Sequence, residues 1–345
     1  MASKPAIRNY IFLAVAFLLI YLVFRNVDFK WMWQEIRHAH FGWIGLSIAC
    51  GIVAMASRAW RWRLLLEPLG YTPSFLHCFY GVSIGYFANI AFPRMGEVVR
   101  CTILHQSDMV PVNQSFGTVI LERLIDLLML FSLIILVLAS QWDVFGSFFL
   151  QEIWNPKQQQ STGSSELRAI IIISALATAG IGLLLFWVFR KKILASERFL
   201  KFMAFLKGIP QGLGTLFKMK KKGWFIFHTL FIWFNYFLMT WVCVFSYEPT
   251  QLLNAFDGLF LMVVGGLGMT APVQGGFGAF HYLVEKALLI YGIGPEVDPV
   301  TGAMLHPGLV FATIVHSGQF LMTVFTGAFS LLLFTIYRRR KTAHA

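Results

Sequence analysis

Charge is scarce in this sequence. Asp, Glu, Lys and Arg together make up 13% of its 345 residues, against roughly 25% in soluble domains, too few to coat a water-soluble fold of this length. Acids are the scarcer sign, 16 against 28 Lys and Arg, for a net charge of +12. Cysteine is nearly absent: Cys50, Cys78, Cys101 and Cys243 form no CxxC pair, which excludes a disulfide framework and a zinc ribbon. Lying in or beside apolar stretches, they read as small buried hydrophobes. His77, His228, His281, His306 and His316 are scattered without HExxH or any close ligand pair, so no metal is expected. Gly265-Gly266-Leu267-Gly268 follows no strand, so no dinucleotide cofactor is expected either. Gly81-Val82-Ser83-Ile84-Gly85 spells GxSxG but sits in an apolar helical run, not a strand-to-helix turn; glycines at this spacing read as close helix packing.

What is present is apolar: 57% hydrophobic residues and a mean hydropathy of +0.68. Runs at about 9–25, 41–62, 115–140, 168–190, 224–246 and 308–336 are each long enough, or nearly so, to cross a bilayer as helices. The fold class expected is therefore an all-α polytopic membrane protein. Lys4 and Arg8 precede the run Tyr10 to Phe24 as in a signal peptide, but Arg25-Asn26-Val27-Asp28 offers no small-residue cleavage site, so an uncleaved first helix is expected. The basic residues lie between and beside apolar runs and form no basic domain, which points to membrane orientation and not to nucleic acid.

Two further apolar stretches are broken in their middles by Pro and Gly. One, about 75–104, contains Pro93-Arg94-Met95-Gly96-Glu97; the other, about 253–290, contains Pro272-Val273-Gln274-Gly275-Gly276-Phe277-Gly278. Orientation constrains them, because cytoplasmic loops retain Lys and Arg. Segment 190–223 holds ten such residues against Glu197 alone, and the tail carries Arg338, Arg339, Arg340 and Lys341; both belong inside. The linker 141–167 has Asp143, Glu152 and Glu166 against Lys157, and 247–257 and 291–307 have acids with no Lys or Arg; these belong outside. Both broken stretches must then enter and return. Each half reads span, span, re-entrant hairpin, span, and three spans per half invert the second half relative to the first. The expected organisation is a single membrane domain: a first repeat over 1–140, an extracytoplasmic linker at 141–167 and a second repeat over 168–345, with 191–223 a basic interfacial segment. Both termini are expected in the cytoplasm, in the cytoplasmic (inner) membrane. Eight full spans, with both stretches merely kinked, is the alternative. Trp31, Trp33 and Trp43 suit the outer interface, and Phe199, Phe202, Met203 and Leu206 form an apolar stripe suited to the anionic inner leaflet.

Ionisable residues in membrane helices are costly, about 2.5–3.5 kcal/mol each at mid-bilayer, and mark polar interiors. Here they are Arg58, Arg61, Arg94, Glu97, Arg100, Glu122, Arg123 and Asp126. Glu122 and Asp126, four apart, share a helical face, and Arg123 is the cation local to them. The five arginines outnumber the three acids, leaving one or two cations spare, and guanidinium grips phosphate through a bidentate fork. A spare Arg beside a re-entrant tip suits a phospholipid or polyprenyl-phosphate head group; an internal ion-pair network joining helices is the competing reading. Asn89, Gln274 and Glu285, near the two breaks, complete the candidate substrate-binding residues. Pro93, Gly96, Pro272, Gly275, Gly276 and Gly278 are the candidate hairpin-shaping positions.

The motifs Arg58-Ala59-Trp60-Arg61-Trp62, Pro93 through Arg100, Glu122-Arg123-Leu124-Ile125-Asp126, and Pro272 through Gly278 followed by Glu285 resemble the successive motifs of the lysylphosphatidylglycerol synthase transmembrane family, also called flippase-like or UPF0104 proteins. The resemblance covers nearly the whole chain and implies a lipid-flipping or lipid-handling module. Complete synthases continue into a soluble aminoacyl-transferase domain, for which this sequence leaves no room; a stand-alone member is expected. Three functions follow: a flippase exposing an anionic or lipid-linked substrate, a membrane transferase using Glu97, Glu122 or Asp126 as general base, or a non-transporting partner of a separate lipid synthase.

Overall fold

The computed structural model describes residues 21, 23–24, 27–91, 95–140, 214–271, 273–298, 302 and 304–343. Most of the expected span 9–25, all of 168–190, the linker 141–167 and most of the basic segment 191–223 lie outside the described residues. Among the described residues the regular structure is helical apart from two short strands, β1 (Glu296–Val297) and β2 (Met304–Leu305), paired antiparallel. The protein is an all-α polytopic membrane protein. Its longer helices are α1 (Phe29–His38), α2 (Phe41–Leu66), α3 (Phe75–Ala91), α4 (Gly96–Asp108), α5 (Val112–Ser140), α6 (Lys222–Val244), α7 (Ala255–Thr270), α8 (Ala279–Leu289) and α9 (Pro307–Ala343).

Local sequence explains where several of these begin. Asp28 caps α1, its Oδ1 accepting from the backbone N–H groups of Lys30 at 2.8 Å and Trp31 at 3.2 Å. Asn254 and Asp257 form a reciprocal capping box at the start of α7, Asn254 accepting from the Asp257 N–H while Asp257 accepts from the Asn254 N–H at 2.8 Å. Helices α2, α6 and α9 are long and apolar enough to cross a bilayer. Helix α5 is as long, 29 residues, but carries Glu122, Arg123 and Asp126 along its length.

Helices α2 and α6 run antiparallel along their whole length: the His40 N–H donates to the Ser246 carbonyl, Ser47 Oγ to the Met239 carbonyl, and Ser57 Oγ lies 2.8 Å from His228 Nδ1. The broken stretches fold as two antiparallel helix pairs. In the first, α3 lies against α4 with Gly81 beside the Arg100 carbonyl and Gly85 beside the Gly96 carbonyl. A Cβ on Gly96 would run into the Gly85 carbonyl and the Asn89 side chain, so the approach requires glycine. The GxSxG spelling is thus a packing stripe, and Ser83 is buried with its hydroxyl on Met55 Sδ at 3.0 Å. In the second pair, Gly265 and Gly268 of α7 meet Phe280 of α8, and Phe260 meets Tyr291. Gly275, Gly276 and Gly278 at its tip have φ of 59°, 73° and 81°, the left-handed region glycine enters without a Cβ clash.

These pair helices are short. At 1.5 Å per residue, the 17 residues of α3 reach about 26 Å and the 11 of α8 about 17 Å, below the ~30 Å of a hydrocarbon core. Both pairs lie on α9. The first opens toward its C-terminal end, where His77 packs against Tyr337 and Tyr80 meets Phe334, and its tip reaches Gly327 through Phe87. The second opens toward the N-terminal end, where Glu285 bonds His306 at 2.7 Å, and its tip reaches His316, whose Nε2 lies 2.8 Å from the Gly275 carbonyl oxygen. The tips therefore approach one another along α9, and α3 touches the turn Gln274–Gly276.

The two ends of the molecule differ in charge. One collects Arg63, Lys221 bonded to Glu67 at 3.0 Å, and Arg338 bonded to Gln106 at 3.0 Å. The other holds Glu35, Glu248, Glu296 and Asp298 with Lys30 and Arg37 of α1, and 247–257 and 291–307 contain no Lys or Arg.

Candidate functional site

Arg58 and Arg61 lie three apart on α2, one turn of a helix, and so project to the same side. That side faces α5, where Glu122 and Asp126 share a face by the same rule. Glu122 is the hub. Its Oε1 accepts from Arg58 Nη1 at 2.7 Å and Arg61 Nη2 at 3.0 Å, and its Oε2 from Arg100 Nη2 of α4 at 2.8 Å. Asp126 completes a double clamp, accepting from Arg58 Nη1 at 2.8 Å and Arg61 Nη2 at 2.8 Å. Arg58, Arg61, Arg100 and Glu122 are buried, between 0% and 3% exposed. Charges withdrawn this far from water persist only when paired and hydrogen-bonded.

Other elements finish the enclosure. Tyr236 of α6 accepts from Arg58 Nη2 at 3.1 Å, and Thr229 of α6 lies 3.4 Å from Arg61 Nη1. The Arg100 guanidinium sits 4.0 Å from the ring centre of Trp62, whose indole N–H bonds Thr118 Oγ1 at 3.0 Å. One network thus joins α2, α4, α5 and α6. The sequence pointed to the five charged residues but not to Tyr236, Thr229, Trp62 or Thr118: a hydroxyl or an indole in an apolar run carries no sign that a guanidinium will meet it.

Arg123 corrects an expectation. It makes no ion pair with Glu122 or Asp126; its Nη2 pairs instead with Glu97 Oε1 of α4 at 3.0 Å. Adjacent helical residues diverge by about 100°, so Arg123 leaves the face of Glu122, while both oxygens of Asp126 are already taken by Arg58 and Arg61. The Arg123–Glu97 pair is also the more open, with side chains 42% and 21% exposed, against 0% to 12% in the Glu122 network.

Between this pair and the network lies a small cavity of about 10 Å³, lined by Tyr86, Asn89, Gly96, Glu97, Arg100 and Arg123 among others. Asn89 Oδ1 accepts from the Gly96 N–H at 2.7 Å, closing the tip of the first helix pair beside it. Four guanidiniums, Arg58, Arg61, Arg100 and Arg123, face three carboxylates, Glu97, Glu122 and Asp126, so among the described residues the site holds one positive charge beyond its own acids. Arg94, Pro93 and Pro272 lie outside the described residues, as does the side chain of Gln274.

The second tip is of a different kind. Gly275, Gly276 and Gly278 shape its turn, and around it lie Phe277, His281 and His316, the two imidazoles with ring centres 4.9 Å apart. Glu285 does not join the charged network; it holds His306 at the open end of the second pair. Among the described residues no group of three or more His, Cys, Asp or Glu is placed to hold a metal, and all four cysteines are free thiols, Cys78, Cys101 and Cys243 buried and Cys50 partly so.

Compared with known proteins, the chain matches the family model described as the lysylphosphatidylglycerol synthase TM region over residues 10–327. A UPF0104 membrane protein of Methanocaldococcus jannaschii is 25% identical over 122 residues, covering 34% of this chain and 36% of that protein. The match thus spans about a third of that relative's length. No solved structure matches.

Proposed function

We propose, from the premise that the chain belongs to the lysylphosphatidylglycerol synthase transmembrane-region family, that it exposes or translocates an anionic or lipid-linked substrate across the cytoplasmic membrane. The observation that carries this reading is the buried network centred on Glu122, where arginine exceeds carboxylate by one beside the tip of a helix pair too short to span. Guanidiniums held in a low-dielectric interior at this surplus suit a phosphate-bearing head group, a phospholipid or a polyprenyl phosphate. The two helix pairs are read as re-entrant hairpins entering from opposite faces. Their opposed openings along α9 support this, and so does the pairwise packing: α2 and α6 meet antiparallel, α5 touches α4 and α7, and α9 touches α8 and α3. Exchanging first-half helices for their second-half counterparts maps α2–α6 onto itself, α5–α4 onto α9–α8 and α5–α7 onto α9–α3, as an inverted repeat of 1–140 and 168–345 requires. The α2–α9 contact, by contrast, has no equally close α6–α5 counterpart. Such interrupted segments meeting at mid-depth are where transporters of this design bind substrate. By the positive-inside rule the end with Arg63, Lys221 and Arg338 faces the cytoplasm, together with both termini.

Glu122 and Asp126 are poorly placed as general bases, since both oxygens of each are engaged by guanidiniums, and of the three candidates Glu97 alone keeps an oxygen without a partner. The test is reconstitution into liposomes carrying fluorescent phosphatidylglycerol or a polyprenyl phosphate, with the fraction open to an external quencher followed over time. Wild type is expected to speed leaflet exchange, and Arg100→Lys, which keeps the charge and loses the fork, to slow it. Folded protein that alters the exchange of no anionic lipid would refute the proposal.

A further inference from the structure

We infer that Glu97 is a resident competitor for the anion seat: its carboxylate occupies the place beside Arg123 and Arg100 that a phosphate group takes, and ligand enters by exchanging with it. This rests on the anionic-substrate reading and narrows it to one subsite and one entry step.

Three observations converge on that seat. Glu97 and Arg100 are three apart on α4 and so project to one side, and with Arg123 they line the same cavity. Arg100, only 3% exposed, spends Nη2 on Glu122 and its face on Trp62, while its Nε has no protein acceptor. Glu97 is held through one oxygen; Oε1 pairs with Arg123, and the buried Oε2 has no partner. The site therefore contains an anion bound by one arm and a buried cation with an unused donor, within reach of one cavity.

Size and exposure give the order of events. At about 10 Å³ the cavity has room for about one water molecule, so a phosphate enters only when the Glu97 side chain turns away. Of the ion pairs around the cavity this is the most open, its side chains 42% and 21% exposed, whereas breaking a fully buried one leaves a charge stranded. A phosphate with two or more free oxygens can satisfy Arg123 and the open edge of Arg100 together, which Glu97 does not. The Glu122 network stays intact as the rigid back wall. No bond forms or breaks in this step; one carboxylate is exchanged for one phosphate on the same cations.

The experiment measures binding of short-chain phosphatidylglycerol, phosphatidylcholine and inorganic phosphate to detergent-purified full-length protein, by tryptophan fluorescence and calorimetry. Glu97→Gln, close in shape but uncharged, is expected to bind phosphatidylglycerol at least tenfold more tightly than wild type. Arg123→Gln is expected to bind about tenfold more weakly, and the double variant to follow Arg123→Gln. Folding is checked by gel filtration, and Glu97→Asp serves as a second variant, expected to bind like wild type or more weakly than Glu97→Gln. Unchanged or weaker binding by Glu97→Gln overturns the competitor while leaving the anionic-substrate reading intact. No binding of any anionic probe by wild type and Glu97→Gln overturns both. Tighter binding of inorganic phosphate alone by Glu97→Gln upholds the competitor and overturns the lipid as its ligand.

Discussion

Removing the charge of Glu122 while keeping its shape tests the network at its hub. Glu122→Gln leaves Arg58, Arg61 and Arg100 facing Asp126 alone, and puts an amide NH₂ where one of them now finds an acceptor. Glu122 is 0% exposed and accepts three guanidinium bonds of 2.7–3.0 Å, so the loss falls in the class of a broken buried ion pair, about 3–5 kcal/mol. That is about a hundredfold to a few thousandfold in the folding equilibrium. Unfolding in detergent followed by tryptophan emission is the assay, because Trp62 lies on the face of Arg100 and reports the site as well as the fold. A charge-balancing partner separates electrostatics from packing: Arg100→Met with Glu122→Gln removes one charge of each sign, and is expected to recover at least half of the lost stability. Glu122→Gln within about 1 kcal/mol of wild type, or a double variant less stable than either single one, would refute the reasoning.

Gly96→Ala places a Cβ against the Gly85 carbonyl and the Asn89 side chain and is expected to cost about 1–3 kcal/mol by overpacking, read in the same unfolding assay. Gly275→Ala, at φ 59°, is expected to cost about 1–2 kcal/mol through the left-handed backbone alone. In a cysteine-free background, cysteines at Gly70 and Met109 are expected to label from one side of the membrane, and those at Leu252 and Val297 from the other; Gly70 labelling opposite to Met109 would make the first helix pair a full crossing. Ser83→Ala is expected to leave transport unchanged and to shift stability by less than about 0.5 kcal/mol, since its hydroxyl meets only a thioether; loss of activity would revive a nucleophilic serine.

Much of the architecture was legible because a bilayer penalises the same residues wherever they fall. Charges inside apolar runs stand out one by one, and Arg58, Arg61, Arg100, Glu122 and Asp126 did converge. Gly275, Gly276 and Gly278 were legible for a different reason: a Pro/Gly break that cannot stay helical must turn, and all three adopt positive φ. The pairings were not legible. Arg58 and Glu122 are 64 residues apart and Arg61 and Thr229 are 168 apart, so helix packing alone decides who meets whom. Arg123 illustrates the difficulty, since local spacing allied it with Asp126 and the neighbouring helix supplied Glu97. Glu285 illustrates a second kind: motif order marked the residue, but its neighbour, His306, comes from the start of α9.

The two tips share a packing plan but not a chemistry, and that difference bears on how many seats an anion has. Arg100 and Glu122 stand on α4 and α5; on the proposed inverted repeat the corresponding helices of the second half are α8 and α9. Counted from the helix starts, Glu122 is the eleventh residue of α5 and His316 the tenth of α9, while Arg100 is the fifth of α4 and His281 the third of α8. Where the first tip sets a guanidinium on a carboxylate, the second sets two imidazoles against each other, ringed by Phe277 and Phe280. An imidazole pair in aromatic surroundings offers an anion no fixed positive charge. On the proposed function a head group thus has one seat, at the first tip. Substitutions at the second tip, such as His316→Gln, should then change exchange rate more than phosphatidylglycerol affinity. Equal loss of affinity from His316→Gln and Arg123→Gln, measured by the same calorimetric titration, would show that both tips hold the anion.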